Sequence, residues 1–201
     1  MLVIDLAAGI TAQDRKIAQL ILEEKKPCLI VLNKFDLFHP DADYKARVEE
    51  ATEHVKRELF FLSYAPFVAC SAKTGDSTEH VLKKAIAIKK GAQDVPSTGK
   101  LNRILQAAFQ KNPPPTDSSK STRRLKLYYA TTALNEKYSV IPVPTLVLFV
   151  NDKHLMKDSY EAYLTNQFRL AHPAPGIPVI FSTRSRTRRE WEPPKKNNQG
   201  H

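Results

Sequence analysis

Glycine is scarce, with six in 201 residues, at positions 9, 75, 91, 99, 176 and 200. No pair has the spacing of Gly-x-x-x-x-Gly-Lys-Ser/Thr, so these residues contain no phosphate cradle of that type. None has Asp three positions before it, and Asp5 to Gly9 is one residue too long for the Asp-x-x-Gly loop that senses a γ-phosphate and Mg²⁺. Cysteine is nearly absent. Cys28 and Cys70 fall at opposite ends of two expected parallel strands, a poor geometry for a disulfide, and a reducing cytosol is expected. The six histidines form no ligand-spaced pair with each other or with a cysteine, so no metal site is expected. Long apolar runs are also missing. The longest clear one is Leu146 to Val150, and Asp5 interrupts the place where a signal core would continue. A soluble, cytoplasmic chain without a membrane partner is expected.

Charge is unevenly spread. Residues 1–95 carry 14 basic and 14 acidic side chains, whereas residues 96–201 carry 17 and 7, so the whole net charge of +10 lies in the second half. Such a surplus points to a polyanionic partner, most simply nucleic acid, against the plainer alternative of a solvated basic surface.

What is present begins with Cys28-Leu-Ile-Val-Leu-Asn-Lys-Phe-Asp36, a short apolar run that delivers Asn33, Lys34, Phe35 and Asp36 at its end. Guanine shows two adjacent donors, N1–H and the exocyclic amino group, which one carboxylate such as Asp36 accepts together. Adenine lacks that pair, and a mismatch leaves a buried charge unsatisfied. The Lys34 stem can lie over the purine face, and the Asn33 amide can bond the base edge and tie neighbouring loops together. Pro66 to Lys73 reads as a second strand ending in Ser71-Ala72-Lys73, a loop whose backbone N–H can donate to guanine O6. Two loops at the carboxyl ends of neighbouring parallel strands are where open α/β sheets bind ligands. An ordinary βα loop with polar residues is the bland alternative.

Periodicity and caps predict a strand at 2–5, a helix over 11–25 capped by Thr11 with Ile17, Leu20 and Ile21 on one face, and a strand at 28–32. They further predict a helix carrying Tyr44, Val48, Ala51, Val55, Leu59 and Leu62, a strand at 67–70, and a helix over 78–90 with Val81, Leu82, Ala85 and Ile86 inward. Alternation of this kind means a parallel sheet with helices on its faces. In the second half a helix over 97–111 is followed by Pro113-Pro114-Pro115 and a Ser/Thr-rich loop to Thr122. A strand at 123–133 then sets Leu125, Leu127 and Tyr129 on one face and Arg124, Lys126 and Tyr128 on the other. A strand at 145–150, a helix over 159–171 and a strand at 177–182 complete an αββαβ unit. A basic tail expected to be disordered ends the chain at His201.

The segments Asp5 to Ala18, Asn33-Lys-Phe-Asp36, Ser71-Ala-Lys73, Arg124 to Thr131 and Pro144 to Asp152 resemble the Der, or EngA, family of bacterial double GTPases that act in assembly of the large ribosomal subunit. The resemblance implies an α/β fold: the C-terminal half of a Ras-like P-loop GTPase domain with a partial parallel sheet, followed by an α+β KH-like domain. It sets a partial GTPase domain at 1–93, the KH-like domain at 96–184 and the tail at 185–201. It also implies guanine contacts from Asn33, Lys34, Phe35, Asp36, Ser71, Ala72 and Lys73, with GTP or GDP bound and Mg²⁺ held only together with the missing segments. Implied partners are the large ribosomal subunit and its RNA, and the missing N-terminal GTPase segments. By that family's topology residues 2–6 would lie against an absent strand and expose an apolar edge that seeks a partner. The expectation is a truncated gene, a split gene or a partial sequence.

Catalysis in phosphoryl transfer is mostly positioning and electrostatics around phosphates and metal, so these residues alone are expected not to hydrolyse GTP. The KH-like part also departs from ordinary RNA readers, since no two glycines have the Gly-x-x-Gly spacing that clamps a nucleic-acid backbone. The candidates for RNA contact are then Lys100 and Arg103, Arg123, Arg124, Lys126 and Tyr128, and Arg184, Arg186, Arg188 and Arg189. Tyr128 suits stacking on a base or packing against a neighbouring domain. Two readings compete: a ribosome-assembly GTPase represented by its C-terminal portion, and a catalytically dead module that binds RNA or ribosomes through its basic half.

Overall fold

The structure, a computed structural model, describes residues 1–116, 123–134, 141 and 143–185. The expected Ser/Thr-rich loop at 117–122 and the basic tail with Arg186, Arg188 and Arg189 lie outside the described residues. By contacts between residues the chain forms two compact units.

The first unit holds residues 1–95 together with 134–144 and 174–180. Strand β1 (Leu2–Asp5) leads to helix α1 (Ala12–Glu23), β2 (Ile30–Asn33), α2 (Tyr44–Glu58), β3 (Phe67–Ala69) and α3 (Thr78–Gly91). The three strands are parallel in the order β1-β2-β3, with Asp5 opposite Asn33 and Leu32 opposite Ala69. Helix α1 starts where a reciprocal cap begins: Asp14 N–H donates to Thr11 Oγ1 at 3.2 Å, and Thr11 N–H donates to Asp14 Oδ2 at 2.9 Å. Alternate strand residues feed two cores. Leu2, Ile4, Ile30 and Leu32 pack with Ala18, Ala51 and Val55, whereas Leu29, Val31 and Val68 pack with Val81 and Ile88.

Two inward faces differ from expectation. In α1 the buried residue is Ala18, with Ile21 and Leu22 partly buried, while Ile17 and Leu20 are exposed. In α3 Val81 and Ile88 are buried but Leu82 and Ile86 are exposed. Both helices carry a wider apolar arc than a three-stranded sheet covers. β1 is the outer strand on that side, and Val3, on the α3 face, is 56% exposed.

The second unit comprises residues 96–133, 145–173 and 181–201. Its elements are α4 (Thr98–Lys111), β4 (Leu127–Leu134), β5 (Pro144–Val150), α5 (Asp158–Ala171) and β6 (Ile180–Ser185), the expected αββαβ order, with the sheet in the order β4-β5-β6. Helix α4 packs on α5 through a core including Leu101, Leu105, Ala108, Tyr160, Leu164 and Phe168, all buried. Asn102, on α4, holds β4 at one residue: its Nδ2 donates to Ala130 O at 2.7 Å and its Oδ1 accepts from Ala130 N–H at 2.8 Å.

The last strand begins later than the sequence pattern suggests, at Ile180 rather than 177. Residues 174–180 serve the first unit instead. Gly176 N–H donates to Tyr64 O at 2.7 Å, Cys28 N–H donates to Gly176 O at 2.8 Å, and Ile177 enters the core beside Ile88. Gly176 has φ +80°, and a Cβ there would stand 2.6 Å from Ile88 Cδ1 and 3.0 Å from Cys28 O.

Gly176→Ala therefore meets left-handed strain and overlap together, and should cost about 2–4 kcal/mol. Gly99→Ala, in the open on helix α4, should gain up to about 1 kcal/mol. Urea unfolding followed by circular dichroism reads both, and equal midpoints for the two variants would remove the argument.

Candidate nucleotide-base site

Parallel pairing carries the ends of β1, β2 and β3 to the same side of the sheet, so Asp5, the Asn33–Asp36 loop and the Cys70–Lys73 loop converge there. Asn33 joins the two loops. Its Oδ1 accepts from Ala72 N–H at 3.0 Å and from the Cys70 thiol at 4.0 Å, while Phe35 N–H donates to Cys70 O at 3.1 Å. Burial raises the Cys70 pKa above its ordinary value, and Asp76 adds to the shift, so the thiol keeps its proton for that contact. With Oδ1 accepting, the amide orientation is set by its partners and Nδ2 is left aimed at no acceptor among the described residues.

Lys34 adopts the left-handed conformation, φ 62°, and opens a 3-10 turn at Phe35–Leu37. That conformation is costly for a side chain with a Cβ and persists where surroundings fix it. Phe35 supplies the anchor. It is 3% exposed, packs edge-on to Tyr44 at 5.7 Å and lies beneath the Arg47 guanidinium at 4.3 Å. Arg47, from α2, also donates to Phe38 O at 2.7 Å and to Phe35 O. The Phe35 side chain, one of the expected guanine contacts, thus packs in the core. Its part is to hold the turn that carries Asp36.

The Asp36 carboxylate is half-buried and takes no donor and no ion pair among the described residues. Lys34 is tied instead to Asp5, Nζ to Oδ2 at 2.6 Å. The bonded ammonium holds the Asp5 carboxyl below the usual carboxylate value, helped by Ala8 N–H, which donates to Oδ1 at 3.3 Å. Asp5 and Arg47 are the residues missed by the sequence reading. Asp5 sits at a strand end, a visible signal, but its register with Asn33 is a tertiary fact.

In the second loop Ser71 is 1% exposed, with its Oγ accepting from Thr74 N–H at 3.2 Å. Ala72 N–H is used by Asn33. Lys73 is exposed, and its N–H meets no acceptor among the described residues. The unengaged groups are then Asn33 Nδ2, Lys73 N–H and the Asp36 carboxylate. Guanine offers N7 and O6 as acceptors and N1–H and its amino group as donors. The residues present fit the base; none of them forms a cradle for phosphates or Mg²⁺.

A parallel sheet with helices packed on it, ending in two cross-braced loops, has the architecture of part of a Ras-like GTPase domain. The family model described as Elongation factor Tu GTP binding domain matches residues 1–110, and the chain belongs to that GTP-binding family. Residues 96–184 match the model described as KH-domain-like of EngA bacterial GTPase enzymes, C-terminal. The chain is similar to GTPase Der of Akkermansia muciniphila, 59% identical over 94% of this chain and 41% of the relative. GTPase Der of Alkaliphilus oremlandii is 39% identical over 94% of this chain and 40% of its own length. For that of Protochlamydia amoebophila the values are 35%, 94% and 36%. The chain therefore spans about two fifths of the length of these relatives.

Because Asp5 has a lowered pKa, its ion pair with Lys34 is in place at neutral pH and is lost only as the pH falls through that lowered value. Carboxyl NMR titration should show Asp5 protonating below the ordinary Asp range, and Lys34→Met should move it upward. An Asp5 midpoint unmoved by that substitution would contradict the assignment.

Proposed function

We propose that the first unit reads the guanine base of GTP or GDP, as the base-binding part of a ribosome-assembly GTPase of the Der type. In this reading Asp36 accepts from N1–H and the amino group, Asn33 Nδ2 donates to the base edge, and Lys73 N–H donates to O6. The Lys34 stem lies along the purine face while Asp5 holds its ammonium. Ser71 and Phe35 keep the loops in shape. The observation that carries the reading is the unengaged Asp36 carboxylate on a loop otherwise fixed by Asn33, Phe35 and Arg47. An acceptor with its surroundings already fixed loses little on binding.

Neither the Gly-x-x-x-x-Gly-Lys-Ser/Thr spacing nor the Asp-x-x-Gly spacing occurs in these 201 residues. On this reading they bind guanine nucleotides weakly and do not hydrolyse GTP by themselves. The charge distribution supports ribosomal RNA and the large subunit as partners of the second unit, since the +10 lies wholly in residues 96–201. That same observation favours a second reading, a nucleotide-independent RNA- or ribosome-binding module. Two buried free thiols suit a reducing cytoplasm.

Titrating the labelled protein with GDP and with ADP, followed by amide NMR, distinguishes the readings. GDP should shift Asn33, Asp36 and Lys73 at concentrations where ADP does not, and Asp36→Ala should erase the difference. Equal shifts by both nucleotides, or none by GDP at millimolar concentration, would leave only the binding module.

A further inference from the structure

The second unit contains a concavity of about 500 Å³ lined by Arg123, Arg124, Lys126, Tyr128, Asn151 and Asp152. Its frame is rigid. Asn151 Oδ1 accepts from Lys126 N–H at 2.7 Å, Asn151 Nδ2 donates to Arg124 O at 2.9 Å, and Asn151 N–H donates to Lys126 O at 3.1 Å. Three bonds from one residue hold residues 124–126 extended ahead of β4, and the alternation that buries Leu125 turns Arg124 and Lys126 to solvent.

No carboxylate pairs with Arg123, Arg124 or Lys126 among the described residues. Tyr128, 41% exposed, has no ring partner among them, whereas its neighbour Tyr129 stacks on Phe149 at 6.2 Å. Asp152 Oδ1 accepts from His154 N–H at 3.0 Å, which leaves its second oxygen as the acceptor on the wall. Three unpaired cations, a free aromatic face and one acceptor thus share a single recess. Lys100 and Arg103 lie on α4 and do not line it, nor does Arg184, the last residue but one of β6.

We propose that this recess is a subsite for single-stranded RNA: Arg124 and Lys126, assisted by Arg123, take successive phosphates, Tyr128 stacks on a base, and Asp152 accepts a ribose 2′-hydroxyl. Arg124 and Lys126, two residues apart on extended chain, are spaced by about 7 Å, a reach that bridges neighbouring backbone groups. The site rests on the RNA partner proposed above and is independent of guanine reading. It replaces a glycine clamp with side chains on a strand, as single-strand binders combine a basic track with stacking platforms.

The test uses the whole chain and a fluorescein-labelled octauridylate, with anisotropy read between 50 and 300 mM salt. With three phosphate contacts the logarithm of affinity should fall with the logarithm of salt at a slope of about −2. Arg124→Ala/Lys126→Ala should weaken binding at low salt at least tenfold and flatten that slope by about 1.4. Tyr128→Ala should weaken it about tenfold with the slope unchanged, a response that bare charge attraction does not give. Asp152→Asn should narrow the preference for octauridylate over octathymidylate DNA. All these side chains except half-buried Asp152 are exposed, and unchanged circular dichroism melts check folding. No octauridylate binding by the unaltered chain would remove both the RNA partner and the subsite. Binding lost in Lys100→Ala/Arg103→Ala but kept in the Arg124/Lys126 variant would overturn the subsite alone, as would equal binding of octathymidylate DNA.

Discussion

Parallel pairing of β1, β2 and β3 is the constraint on which the first unit depends. Strands that run the same way end on the same side, and the register that sets Asp5 beside Asn33 and Leu32 beside Ala69 fixes which residues meet there. The apolar residues of each strand supply the burial that maintains that register, since a slip by one residue would turn every side chain to the other face. The polar loops contribute little to stability in return. They inherit their geometry from the sheet, and only then can Asn33 reach the Ala72 amide.

Much of this was legible in the residues. Thr11 with Asp14, Ser97 before α4 and the proline run after it are local signals with local causes, and the elements lie within a few residues of where they point. Asn33 to Asp36 and Ser71 to Lys73 stood out as polar loops at the ends of short apolar strands, and the structure does bring those two loops together. The inward faces of α1 and α3 were less so. Periodicity gives the direction of an apolar arc but not the width of the sheet that will cover it, so Ile17, Leu20, Leu82 and Ile86, inward by spacing, stand exposed. The pairing of Asp5 with Lys34 and the reach of Arg47 to the Phe35 turn were not legible, because both act across the chain, and neither was the burial of Phe35, because neighbours in a motif need not face the same way. The start of β6 moved because Gly176 and Ile177 are occupied in the first unit.

One device recurs. Asn33, Asn102 and Asn151 each use a side-chain amide as a stand-in peptide group, to Ala72, to Ala130, and to Arg124 with Lys126. An amide carries donor and acceptor at fixed separation on a short stem, so it satisfies buried or extended backbone where no strand lies alongside. Asn33 and Asn151 hold backbone close to groups that have no partner among the described residues: Asp36 and Lys73 in the first unit, and Arg124 and Lys126 in the second. Rigid backbone beside unengaged side chains is the economy of a binding surface, because the ordering cost is met in folding rather than in association.

The amide on β4 has another effect. β4 is an outer strand, and Asn102 occupies both the N–H and the C=O of Ala130, whereas β1, an outer strand of the other sheet, has no such side-chain cover among the described residues. The outer edge of β1 is thus one place where two copies can meet strand to strand. Symmetry then decides how far the contact spreads. β1 against its own copy is a two-fold, antiparallel pairing that closes at two molecules, whereas β1 against β3 would run on without end. β3 is only three residues long, Phe67–Ala69, so the closed pairing has the longer ladder.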